Sequence, residues 1–294
     1  MRRKALGRSA GLTARMIVVL VLIAATLAGA AAGLGSLFFI LPTWWPLWTL
    51  VIGGLAVSTA REYRRAEQAL LDVAQARLVD ESKAPELYRS VERLAGMLDV
   101  PVPTIAIAGA EIPSGFVVGT RSQRAVVTVS EEIRGKLDPA ELEAVLAHEL
   151  AHVAHRDAAV MTVASLPRTV GLQLFAAENW ILVWFFLWPF GFVLYAWGSL
   201  LTRSISRYRE YEADAAAALV IGRAEELMSA IERLAEDAER IPEQDLRQVD
   251  ALSPFFMVAR RRPRSFELFS EHPPVEKRIA RLATIAREMG RPDR

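Results

Sequence analysis

The chain has 294 residues, 52% of them hydrophobic, a net charge of +1 and no cysteine. Near-neutral charge gives no reason to expect a nucleic-acid partner. The lack of cysteine excludes disulfides, thiol catalysis and cysteine-ligated zinc, and it fits a reducing compartment.

Positive mean hydropathy is high for a purely soluble protein of this size, and the chain order shows where it resides. Residues 1–15 carry five basic side chains and no acidic one. An uncharged run follows from Met16 to Leu41, longer than the roughly 20 apolar residues that cross a bilayer. A second run spans about Trp44 to Ala60, after the turn-like Pro42, and the indoles of "TWWPLW" (43–48) suit the membrane interface. The basic start and "LAGAAAG" also resemble a signal peptide. Against that reading, the run is longer than a usual signal core and a second span follows directly. Basic residues flank the pair at the amino terminus and in "REYRR" (61–65), which the positive-inside rule assigns to the cytoplasm.

From Arg61 to about Val100 the pattern is helical and charged. "TIAIA" (104–108), "GFVVG" (115–119) and "AVVTVS" (125–130) then read as strands of a small sheet. Asp138 is a good N-cap, Pro139 suits the first helical position, and Glu141 completes a capping box. Apolar sequence returns from Ala158 to Leu201, strongest around "NWILVWFFLWPFGFVLYAWGSLL" and interrupted earlier by Pro167 and Arg168. Arg168 either snorkels, lines a cavity, or marks a segment lying at the interface. The expected organisation is a basic terminus (1–15), a membrane hairpin (16–60), a soluble part (61–157), a second hairpin (158–202) and a second soluble part (203–294).

The chain has four histidines, and three fall in "ELEAVLAHELAHVAHRDAAV", residues 141–160. On a helix His148 and His152 share a face one turn apart, an arrangement that lets two imidazoles bind one zinc ion. Glu149 sits a quarter-turn away, placed to take a proton from water that the metal acidifies. This is the H-E-x-x-H pattern, here "HELAH". The alternative is an amphipathic helix with surface histidines, which this spacing and the scarcity of histidine disfavour. His155 takes a helix-end role, because the metzincin pattern would need glycine there and histidine where Ala158 stands. A catalytic zinc site wants a third protein ligand. The candidate is "SRYREYEAD" (206–214), where Glu210 and Asp214 lie four apart. One acid can bind the metal while the other holds the free nitrogen of a bound histidine. Glu212 is the nearest competitor and has no acid four residues on.

Three segments, "AVLAHELAHVAHRD", "SRYREYEAD" and "LFSEHPPVEKRI", resemble in order and spacing the HtpX-like membrane metalloproteases, relatives of the CaaX prenyl proteases. The resemblance covers most of residues 80–285. It implies a mainly α membrane protein with a small β-sheet, in which membrane helices interrupt a gluzincin-type HEXXH protease domain. It also implies one zinc ion per chain, held by His148, His152 and Glu210, with Glu149 as general base and Asp214 supporting a ligand. His272 in "HPP" corresponds to a histidine that donates to the tetrahedral intermediate; without the family it would read as a loop residue. Where the family has asparagine-alanine-phenylalanine beside the substrate, this chain has Ser114, Gly115 and Phe116. An edge strand there can still pair with an extended substrate. The basic "ARRRPR" (259–264) reads as a solvated or membrane-surface patch.

The expectation is a multi-pass zinc endopeptidase of the cell membrane, its active site facing the cytoplasm. It would cleave membrane or misfolded proteins, with the lipid bilayer and peptide substrates as partners and no nucleic acid. The rivals are a prenyl-protein protease, for which the membrane content looks too small, and a non-catalytic membrane-anchored zinc scaffold, which would have no need of Glu149.

Overall fold

The computed structural model of the protein describes residues 10–40, 43, 45–109, 115–119, 121–175, 181–240 and 272–290. Ser114 and the basic run 259–264 therefore lie outside the described residues. The chain is mainly helical with one small sheet, and it forms two compact units. One is built from Glu67–Val160 and the chain from Ser206 onward, the other from Ala10–Ala66 and Met161–Ile205.

The second unit contains α1 (Ala10–Ile40), the first part of α2 (Trp45–Val73), the end of α6 (Asp157–Ala164), α7 (Leu166–Phe175) and the first part of α8 (Ile181–Ile221). Among the described residues, two stretches are long and apolar enough to cross a membrane, Met16–Gly33 and Asp157–Phe175. The latter is two helices rather than one, with the break at Ser165 just before Pro167, as a missing N–H dictates. α7 and α8 approach to backbone contact through glycines. A Cβ on Gly171 would collide with Tyr195 N, and one on Gly198 with Arg168 N. Small residues allow such close helix pairing where lipid supplies no hydrophobic driving force. Polar contacts add to it: Thr59 donates to Gln173 Oε1 (3.1 Å), and Trp197 Nε1 donates to Thr26 Oγ1 (3.0 Å).

The first unit contains α3 (Pro85–Leu98) and α4 (Glu131–Lys136) and is organised around the sheet and α5 (Pro139–His155). Strand order is β1-β2-β4-β3, with β2 (Thr104–Ala108) and β4 (Val126–Ser130) parallel and the outer strands antiparallel to them. The three strands expected from β-branched runs correspond to β2, β3 (Gly115–Val118) and β4. The fourth, β1 (Ala76–Val79), interrupts a stretch read as helical. There α2 ends, Gln75 takes a left-handed φ of 50°, and the reversed chain adds to the edge of β2. One sheet face packs Ile105, Val127 and Val129 into the main core with α5. The other covers Phe116 and Val118 with Leu70 and Ala74 from the end of α2.

Helix α5 begins at a complete capping box. The Asp138 carboxylate accepts from Ala140 N and Glu141 N, and Glu141 Oε2 accepts from Asp138 N at 3.0 Å. Such a cap contributes about 1 kcal/mol. Glu141 is itself buried and also accepts the Ser229 hydroxyl of α9 (Ala224–Arg240) at 2.5 Å. α5 is buried on nearly every side, with Val145, Leu146 and Leu150 inside the core. Truncating a residue such as Leu150 to Ala would cost about 2–5 kcal/mol. That packing fixes the height and rotation of the histidine pair.

Candidate metal centre

α5 carries His148, Glu149 and His152 on consecutive turns, and α8 brings Glu210 to the same place. The His148 and His152 Nε2 atoms lie 3.2 Å apart with their rings at 89°. Glu210 approaches both, with Oε2 at 3.6 Å from His148 Nε2 and Oε1 at 3.6 Å from His152 Nε2. Among the described residues these three form the group able to hold a metal ion. Two nitrogens bound tetrahedrally at about 2.05 Å would stand about 3.3 Å apart. The observed spacing fits that geometry.

Each imidazole turns its other nitrogen to an aspartate, and each aspartate is held by an arginine. His148 Nδ1 lies 3.0 Å from Asp214 Oδ1, and Asp214 takes a forked pair from Arg278, Nε to Oδ2 at 2.8 Å and Nη2 to Oδ1 at 2.6 Å. His152 Nδ1 lies 2.6 Å from Asp157 Oδ2, and the other carboxylate oxygen pairs with the Arg209 guanidinium, 2.9 Å from its Nε. With Nδ1 turned toward a carboxylate, Nε2 is left as the metal-facing atom of each ring.

The electrostatics favour a cation here. Glu149, Asp157, Glu210 and Asp214 are all buried, and two guanidiniums offset only half of their charge when all four are ionised. A divalent ion would cancel the rest. Burial would lower the His148 pKa, but Asp214 and Glu210 outweigh it and raise it to about 9, so the site draws positive charge onto this ring. Burial would likewise raise Glu210, yet His272 and His148 hold it well below the usual carboxylate range. Glu149 moves the opposite way: burial raises its pKa, which brings a proton acceptor nearer to neutral pH.

The other expected site residues are placed as follows. Gly115 opens edge strand β3, and a Cβ there would meet Glu149 Oε1 at 3.7 Å and Val145 Cγ1 at 3.4 Å. Phe116 faces inward as a buried core residue. His272 is buried with Nδ1 3.6 Å from Glu210 Oε2. His155 sits in the last turn of α5, outside the metal-ligand group. The motif reading missed Asp157, Arg209 and Arg278. Asp157 stands two residues after His155, the helix-end residue of the motif reading, and Arg278 stands in "HPPVEKRI", where only His272 was singled out. A left-handed Arg156 (φ 56°) ends α5 and begins the turn that returns Asp157 to His152.

The model of Peptidase family M48 matches residues 81–286. The chain belongs to peptidase family M48. It is 37% identical to Protease HtpX homolog 1 of Streptomyces coelicolor, over 95% of this chain and 94% of that one. It is 36% identical to the Protease HtpX homolog of Moorella thermoacetica, over 98% of each, and 34% identical to Protease HtpX homolog 2 of Methanosarcina mazei, over 96% and 98%. The crystal structure of S. mikatae Ste24p has a similar fold, with a TM-score of 0.51 at 17% identity. That likeness covers 93% of this chain and 66% of the Ste24p chain. As an M48 member the chain is a metalloprotease of the HtpX-like kind.

Proposed function

We propose that the chain is an integral-membrane zinc endopeptidase, one zinc ion per chain, that hydrolyses peptide bonds of membrane or misfolded proteins at the cytoplasmic face. The observation that carries this reading is the placement of Glu149. It follows His148 of the His148–His152–Glu210 group on α5, and β3 comes up to it at Gly115. A scaffold that only stored zinc would gain nothing from a buried, ionisable acid between the metal ligands and an edge strand.

His148, His152 and Glu210 would hold the ion, whose contribution is to acidify water and polarise a carbonyl. Glu149 takes the proton of the attacking water and returns it to the leaving amine. Its raised pKa lets the same carboxyl act in both directions. Asp214 and Asp157 keep the two imidazoles in the metal-binding tautomer. β3 has β4 on one edge only among the described residues. Its other edge is suited to an extended substrate backbone running past Glu149, with Gly115 and Phe116 at its start and Ser114 just before it. His272, close to Glu210, would donate to the oxygen on which charge develops. The apolar helices Met16–Gly33 and Asp157–Phe175 support the membrane assignment.

The test is zinc content and casein cleavage by the purified chain in detergent, before and after chelation and zinc re-addition, with a farnesylated peptide in parallel. Chelator-sensitive, zinc-restored cleavage of casein is expected. Cleavage of the prenyl peptide alone would move the substrate class to lipidated proteins, and stoichiometric zinc without any cleavage would leave a scaffold.

A further inference from the structure

Arg278 is the largest fully buried side chain among the described residues, at 1% exposure. It lies on α10 (Val275–Met289), the helix that follows His272. A buried guanidinium is costly unless every face of it is used. Here two nitrogens take both oxygens of Asp214, at 2.8 and 2.6 Å, and the third, Nη1, lies 3.4 Å from Glu210 Oε2. One planar fork thus spans both acids of the E-x-x-x-D pair. One turn further on, the Arg281 guanidinium sits 5.2 Å from the ring centroid of Tyr211. Positions 278 and 281 of α10 therefore meet positions 214 and 211 of α8, which sets the register between the two helices. Because His272 begins the turn into α10, that register also sets how close His272 comes to Glu210.

We propose that Arg278 is a positioning residue of the metal centre, acting through Asp214. By filling both Asp214 oxygens it fixes the carboxylate that His148 Nδ1 addresses. Its Nη1, 3.4 Å from Glu210 Oε2, also sets positive charge beside the carboxylate that faces both imidazoles. A lysine keeps the charge but presents no planar fork, so it cannot serve both acids at once. This inference rests on the metal-site reading given above, and zinc binding by the wild-type chain is the prior check on that reading.

The experiment measures zinc dissociation constants by chelator competition, and the visible spectrum of the cobalt-substituted protein, for wild type, Arg278→Lys, Asp214→Asn and the double variant Asp214→Asn/Arg278→Met. The double variant removes the buried pair together, so it leaves no unpaired charge if Arg278→Lys fails to fold. Arg278→Lys is expected to bind zinc about 10–100-fold more weakly, to change the cobalt spectrum, and to lower kcat with KM nearly unchanged at saturating zinc. The double variant should bind zinc no more weakly than Asp214→Asn alone, because the arginine acts through that aspartate. Wild-type affinity and spectrum in Arg278→Lys would overturn the proposal. So would additive losses in the double variant. A wild-type chain that binds no zinc would instead refute the metal-site reading itself.

Discussion

Asp157→Asn tests the support of the metal centre at a position no motif reading assigned. Asp157 holds His152 Nδ1 at 2.6 Å through one oxygen and Arg209 Nε at 2.9 Å through the other. Asparagine keeps the shape but has one acceptor and one donor. If its oxygen faces His152, its NH2 meets the Arg209 N–H. If it is flipped, its NH2 meets the Nδ1–H of His152. Either the ion pair with Arg209 or the charge-assisted hydrogen bond with His152 is lost, at about 1.5–3 kcal/mol. At 1.4 kcal/mol per tenfold, zinc affinity should fall about 10- to 100-fold, the range typical of such ligand-supporting acids. Chelator competition at fixed pH measures this, with melting of the metal-free protein run alongside to separate lost affinity from lost folding. Asp80→Asn, at a side chain 63% exposed, serves as control and should bind zinc as wild type does. Affinity within twofold of wild type in Asp157→Asn would refute the argument, and Asp157 would then be only the counter-ion of Arg209.

Glu149→Gln should keep zinc and lose about 10²–10⁴-fold in casein turnover, and wild-type turnover in the metallated variant would remove Glu149 from the chemistry. Glu210→Ala should lose zinc while Glu212→Ala keeps it, read by metal content after dialysis; equal loss would mean a different third ligand. His272→Ala should retain zinc and lose about 10²–10³-fold in kcat with little change in KM; an unchanged kcat would return it to a loop role. Reporter fusions after residues 65, 157 and 205 should all report cytoplasm, and an external signal at 157 alone would contradict a shared metal site.

What was legible in the sequence was local. The capping box joins residues 138, 139 and 141, and "HELAH" spans a single helical turn, so both could be read with no knowledge of the fold. The strands at 104–108, 115–118 and 126–130 were legible because β-branched runs were set off by glycine and polar residues. β1 was not, since "ARLV" is four residues long, half-exposed, and a strand only because β2 offers it an edge. The same holds for the support of the site. An E-x-x-x-D pair on its own is an ordinary solvated helix face. Asp214 is distinguished by Arg278, 64 residues away, and no spacing rule connects the two. Arg209 was passed over for the same reason, because its partner Asp157 lies across the whole apolar segment.

The metal group also constrains the path of the chain. His148 and His152 precede the apolar segment and Glu210 follows it, yet their ligand atoms lie within 4.8 Å of one another. Residues 157 and 206 must then lie on the same side of any bilayer, so the segment between them crosses an even number of times or only dips in. The glycine contacts show how it turns back. Gly198 meets the start of α7 at Pro167–Arg168, and Gly191 meets its end at Leu174–Phe175, so α7 and α8 run antiparallel. α8 then continues without interruption as one helix to Ile221, about 60 Å at 1.5 Å per residue. The helix that closes the hairpin is thus the one that carries Arg209, Glu210 and Asp214. Any rotation or slide of α8 about its axis would move one metal ligand and both aspartate–arginine pairs, while His148 and His152 stayed fixed in the core around α5.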